Sequence, residues 1–411
     1  MTQVVFGEQG CLASKWVRCK SVDQHMTFLT RRRVLTGGAL LGAAAVGGLG
    51  FGAYRLKHPA LVPIGFEITP EELANAQAFL AAHPSIDAHA HPGRTFVRGA
   101  EHLSGIAGAA VWLGTFEERT IADMREGGLI AASFAAVSDF QTLSFQGEGL
   151  ASTRAFEPGE AWASYKRQLA NMQALVSEGL VYPVLTLADF EAARASGKPG
   201  ALFTVEGGDF LEGQAGRVAA AYADGIRSIT LMHYRGNELG DIITGSPVHG
   251  RLTEAGAAVV RAMNEAGMIV DIAHASEATA AGIIAATTKP VIASHVHVHG
   301  GRSSHPRFIS RRLATSVAET GGGVLGAWPA GIDISTLDGF VTRTFELVDM
   351  VGIEHVCLGT DMDANYKPVF DTYARLPLYV AQMLKRGMHE AELAKLIGGN
   401  FLRVMGEVER K

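Results

Sequence analysis

Six short, largely apolar runs in this chain each end on a histidine, a glutamate or an aspartate. Ser85-Ile86-Asp87-Ala88-His89-Ala90-His91 is the first, closed by Pro92 and Gly93. Ala201 to Val205 runs into Glu206, Ser228 to Met232 into His233, and Met268 to Ala273 into His274. Val291 to Ser294 runs into His295, and Val356 to Thr360 into Asp361. Such runs, bounded by turn residues, read as buried strands. One histidine at a strand end is more often structural than a ligand. Six strand ends that carry only His, Glu and Asp are hard to explain by packing. Burying that many ionisable groups costs several kcal/mol unless a cation compensates them.

Strands are expected near 85–91, 129–137, 201–206, 227–233, 268–274, 291–295, 323–327 and 355–361. Helices are expected near 160–178, 214–224, 253–266, 277–286, 310–320, 337–351 and 390–397. Eight strands, mostly separated by helices, favour an α/β fold of one kind, a single (β/α)8 TIM barrel, over an open doubly wound sheet. In such a barrel the chemistry sits at the C-terminal ends of the strands, where the six ionisable ends fall. No Gly-x-Gly-x-x-Gly opens a helix after an early strand, so a dinucleotide fold lacks its fingerprint. Thr69-Pro70-Glu71-Glu72 is a helix start, with a capping Thr and Pro at the first helical position. Residues 92–119 read as a long irregular loop over the site. At 411 residues and 47% hydrophobic the chain can fill a barrel. Its formal net charge is −5, and no long basic run follows the N-terminal segment, which gives nucleic-acid binding no electrostatic support.

The N-terminal part reads differently. Thr30-Arg31-Arg32-Arg33-Val34-Leu35 precedes an uncharged stretch from Thr36 to Tyr54 that holds seven glycines. A paired arginine followed by a mildly hydrophobic stretch is similar to a twin-arginine export signal. The length would also permit a membrane anchor, but so many glycines make a weak membrane helix. The expected organisation is a targeting segment and linker over 1–58 and a (β/α)8 domain over 59–411. The chain is then expected to meet the twin-arginine export machinery and to reach the periplasm or another extracytoplasmic space. Retention by an uncleaved signal is left open, as is a start at Met26. Cys11 and Cys19 fall in the leading segment, which leaves Cys357 alone in an exported chain, without a disulfide partner.

The first strand supplies the metal argument. Period two sends Asp87, His89 and His91 to one face, and two imidazoles so spaced can hold one borderline-soft cation. A carboxylate at Glu206 can bridge two ions through its two oxygens. Such ions lie about 3.5–4 Å apart and share a hydroxide that attacks a carbonyl or phosphoryl centre.

From about residue 83 to 405 the chain resembles the membrane (renal) dipeptidases, binuclear zinc hydrolases of the amidohydrolase superfamily. The likeness lies in Asp87-Ala88-His89, Met124-Arg125-Glu126-Gly127-Gly128 and Val205-Glu206-Gly207-Gly208. It continues through Leu252-Thr253-Glu254-Ala255-Gly256, the stretch from Asn264 to Ser276, and Pro290 to His295. Gly359-Thr360-Asp361 and Gly398 to Val404 complete it. The resemblance implies that two zinc ions are held, one by His89 and the residue at position 91, the other by His274 and His295, with Glu206 bridging. It implies Asp361 as the acid/base and His233 as a contact to the scissile carbonyl. It implies Arg307 as the holder of the substrate's terminal carboxylate, with Arg302 and Arg311 as neighbours that could take that part. The implied reaction is attack of a metal-bridging hydroxide on the peptide bond of a small dipeptide. A homodimer is compatible with it.

One departure stands on the first strand. The family pattern is H-x-D, and here position 91 is histidine, which raises the charge of the site by one unit. That leaves the native metal and strict dipeptide specificity open. A cyclic amide, lactone or phosphoester is an alternative substrate, and a non-catalytic exported metal-binding barrel is an alternative role. Retention of Asp361 counts against the latter. His297 and His299 could line the pocket or lie on an exposed loop.

Overall fold

Thr69 opens the first described helix with a capping box. Its hydroxyl accepts the Glu72 amide at 3.2 Å, and the Glu72 carboxylate accepts the Thr69 amide at 2.8 Å. These positions come from a computed structural model, which describes residues 61–410 except 102, 104, 147–148 and 300–304. The predicted targeting segment, Cys11, Cys19 and Arg302 lie outside the described residues. No helix among the described residues is long and apolar enough to cross a membrane.

The strands are β1 (Ile86–Asp87), β2 (Ala131–Val137), β3 (Leu143–Gln146), β4 (Gly149–Ser152), β5 (Tyr182–Val184) and β6 (Gly200–Glu206). They continue as β7 (Ser228–Thr230), β8 (Ile269–Asp271), β9 (Val291–Val296), β10 (Val324–Ala327) and β11 (Val356–Leu358). Eight of them pair in parallel in the order β2-β1-β11-β10-β9-β8-β7-β6, and β2 also pairs with β6, which closes the barrel. The expected (β/α)8 architecture is therefore the observed one. Val137 lies opposite Glu206, Glu206 opposite Thr230, and Thr230 opposite Asp271, so neighbouring strands end level with one another. That register turns residues far apart in sequence into one ring at the C-terminal mouth.

The other mouth is closed by the last helix, Asn400–Glu409. Its Phe401, Val404, Met405 and Val408 pack with Ile86, Ala131, Leu202, Ile269, Ile292, Val324 and Cys357, near the N-terminal ends of the strands. Cys357 is buried and unpaired. Inside the barrel the strands approach closely. A Cβ on Gly326 would lie 1.7 Å from the Ser294 carbonyl oxygen, and one on Gly359 would lie 1.8 Å from the same atom.

Three expectations need correction. The first strand is regular only over Ile86–Asp87, because the His89 amide turns back to Asp87 Oδ1 at 3.2 Å instead of joining a neighbouring strand. Asp87 faces Thr360 and Tyr373, not the histidines' cluster: it accepts the Thr360 amide at 2.9 Å, the Thr360 hydroxyl, and the Tyr373 hydroxyl at 2.7 Å. Residues 92–119 are not a loop. They hold a 3-10 turn at Pro92–Val97, a helix at Gly105–Leu113 and the start of another at Glu117–Glu126. Phe116 precedes the last with no capping side chain, so its start carries no sequence signal. Helices at Leu187–Ser196, Leu376–Lys385 and Asn400–Glu409, the hairpin β3–β4 and the short strand β5 add to the expected elements.

Candidate metal centre

Glu206, the last residue of β6, stands among five imidazoles. Its Oε1 is 3.3 Å from His89 Nε2, 3.1 Å from His274 Nε2 and 3.5 Å from His295 Nε2. Its Oε2 is 3.3 Å from both His91 Nε2 and His233 Nε2. Asp361 joins from the end of β11, with Oδ1 3.5 Å from His91 Nε2. The barrel thus brings together His89, His91, Glu206, His233, His274, His295 and Asp361. All are buried but Asp361, whose side chain is 13% exposed. Three ligand sets have their donor atoms within 4.8 Å of one another: His89–Glu206–His295, His89–His91–Asp361 and Glu206–His233–His274.

The residues fit a metal. His89 Nε2 and His91 Nε2 are buried without a hydrogen-bond partner among the described residues. His91 Nδ1 lies 2.9 Å from the Ala135 carbonyl and donates to it, which leaves the Nε2 lone pair aimed at Glu206. His274 Nε2 and His295 Nε2 are 3.0 Å apart, two ring nitrogens in contact. Lone pairs facing a carboxylate and each other repel unless a cation or protons lie among them. Imidazoles with carboxylates form a donor set for a borderline divalent ion.

The charges respond to this crowding. Burial alone would raise the Glu206 carboxyl, but His233 and His89 hold it well below the usual carboxylate range. Burial would depress His89, yet Glu206 keeps it at about 9. His274 and His295 are pushed well below the ordinary imidazole value by burial, with Arg307 adding to the effect on His274 and His89 to that on His295. Burial raises Asp361 to about 6, against the pull of His91. His274 and Asp361 both sit in the left-handed backbone region, at φ of 65° and 55°. Strain of that kind collects where side chains must be aimed.

Two strand ends carry residues that sequence reasoning missed. Asp139 follows β2, is wholly buried, and holds His233 Nδ1 at 2.6 Å while accepting the Tyr234 amide at 3.0 Å. Its signal was present, an aspartate two residues beyond an apolar strand. Trp328 follows β10, and an apolar residue at a strand end looks like core. Arg307 is 3% exposed, with Nη2 3.0 Å from His274 Nε2 and its guanidinium carbon 5.1 Å from the Trp328 ring centre. Of its alternatives, Arg311 is exposed. His297 is buried against Phe308, with ring centres 4.7 Å apart, and His299 is exposed; neither joins the cluster.

The profile of the membrane dipeptidase family, peptidase family M19, matches residues 73–411. The dipeptidase verJ of Clonostachys rogersoniana is 33% identical over 220 residues, 52% of this chain and 56% of that protein. The chain thus matches over about half the length of that relative. The structure of the probable dipeptidase PvdM from Pseudomonas aeruginosa superposes with a TM-score of 0.68 at 18% identity, over 84% of this chain and 100% of that one. A Rhodobacter sphaeroides metallopeptidase, solved with a phosphinate mimic of the dipeptide L-Ala-D-Ala, gives 0.64 at 18% identity, over 79% and 99%. At that identity the two structures speak for the barrel alone.

Proposed function

This chain belongs to the membrane dipeptidase family, and from that membership we propose that it is a metal-dependent dipeptidase. One observation carries the proposal. Arg307 is a buried guanidinium whose Nε and Nη1 have no partner among the described residues, beside a cluster of imidazoles and carboxylates. Burial lowers its pKa, the mark of a cation that lacks a full counter-charge. A substrate carboxylate supplies that charge, and the planar fork suits it.

Two zinc ions held by His89, His91, Glu206, His274 and His295 would supply a hydroxide nucleophile near neutral pH and polarise the scissile carbonyl. The chain's own residues do the rest. Arg307 anchors the terminal carboxylate and so sets the amide over the cluster. His233 is depressed by burial but raised by Asp139 and Glu206, and with Nδ1 held by Asp139 at 2.6 Å its protonated ring would donate from Nε2 to the developing oxyanion. Asp361, near 6, accepts a proton and passes it to the leaving amine. His91, in place of the family's aspartate, leaves a cyclic amide, lactone or phosphoester as the second reading. Zinc-loaded protein assayed on a dipeptide panel tests the proposal; hydrolysis of esters or lactones without any dipeptide would transfer the activity to that second reading.

The export reading rests on the composition of residues 30–54. Replacing Arg31 and Arg32 with lysine in a host with the twin-arginine pathway should leave folded protein in the cytosol. Unchanged fractionation would favour a membrane anchor or another route.

A further inference from the structure

Trp328 stands at the end of β10, between the strands that deliver His295 and Asp361. It is 4% exposed, yet its indole Nε1–H has no partner among the described residues. A buried donor left without an acceptor is uncommon and calls for a cause. The same wall carries the unpartnered Nε and Nη1 of Arg307, whose guanidinium lies over the Trp328 ring. The His295 ring meets the indole with centres 5.9 Å apart, so this wall borders the cluster. Three buried donor atoms without a partner among the described residues suit an anion.

The indole is also held in position. Trp328 packs with Phe308, Ala330 and Ile332. Arg343 donates to the carbonyl of Ala330 at 2.8 Å and to that of Ile332, and the Val369 amide donates to the Pro329 carbonyl at 2.9 Å. A ring so braced keeps its N–H in a fixed direction, as recognition requires.

We propose that Trp328 is a specificity-determining residue whose indole N–H, with the free N–H groups of Arg307, binds the terminal carboxylate of the substrate. This rests on the dipeptidase reading. The residue carrying that carboxylate would then lie against the apolar surface of Trp328, Phe308 and Ile332.

Trp328→Phe keeps the ring and deletes the donor. A hydrogen bond to a charged group is worth roughly 10- to 100-fold in binding. The preference of the metal-loaded enzyme for a dipeptide over its C-terminal amide, as a ratio of kcat/KM, should therefore fall by about that factor in the variant. A second measurement uses the unaltered chain labelled with 15N-tryptophan and a phosphinate dipeptide mimic, given with a free carboxylate or as the amide. The Trp328 indole resonance, identified by its loss in the variant, should shift with the acid and stay put with the amide. If the variant retains the whole preference, or the resonance answers both ligands alike, the subsite is wrong while the dipeptidase reading stands. If the unaltered enzyme cleaves no dipeptide, that reading falls and the subsite with it.

Discussion

His233 Nδ1 lies 2.6 Å from Asp139 Oδ1, and the other oxygen of Asp139 is held by the Tyr234 amide. The imidazole is thereby turned so that its Nε2 faces Glu206. Asp139→Asn keeps the shape but weakens the hold on ring and proton. We expect kcat for a dipeptide to fall about 10- to 100-fold, with a smaller change in KM, because partners of this kind commonly act at that scale. Steady-state kinetics on metal-loaded variant and parent decides it. A change confined to KM would count against an orienting role.

Glu206 contacts His89, His274 and His295 through one oxygen and His91 and His233 through the other. A carboxylate shared in this way should bridge two ions. Elemental analysis of Glu206→Gln should fall from about two metals per chain to one or none. Two ions retained through extensive dialysis would remove the bridging assignment.

Gly326 touches the backbone that delivers His295. An alanine Cβ there would sit 1.7 Å from the Ser294 carbonyl oxygen, so β9 or β10 must move. Overpacking of this kind costs about 1–3 kcal/mol, and more where backbone has to shift. Gly326→Ala should lower the denaturant midpoint accordingly. An unchanged midpoint would mean that the barrel interior is looser than described.

The barrel and most of its mouth were legible because six of its strands are short apolar runs that lead into an ionisable residue. His89, His91, Glu206, His233, His274, His295 and Asp361 share that signature, and the closed sheet brings them together. Asp139 escaped because Ser138 separates it from its strand, and Trp328 because an aromatic side chain reads as core. Gly105–Leu113 escaped for a different reason: a helix of Gly, Ala, Ile, Val, Trp and Leu with no polar face has no period to detect. The brevity of β1 could not be read at all. It depends on the Asp87 carboxylate and its links to Thr360 and Tyr373, which are remote in sequence.

In the proposed mechanism Asp361 acts on a proton in flight, whereas Arg307 holds a group that does not react. Asp361→Asn should therefore cut kcat for dipeptides by about 10²–10⁴-fold. A loss seen only in KM would place Asp361 in substrate binding instead.

The comparison of a dipeptide with its C-terminal amide, made on the parent and on Arg307→Ala, tests the central claim most directly. The parent should cleave the acid far better than the amide, and Arg307→Ala should raise KM for the acid while affecting the amide much less. If the parent cleaves both equally and the substitution affects both alike, Arg307 reads no carboxylate, and the dipeptidase account gives way to a broader amidohydrolase.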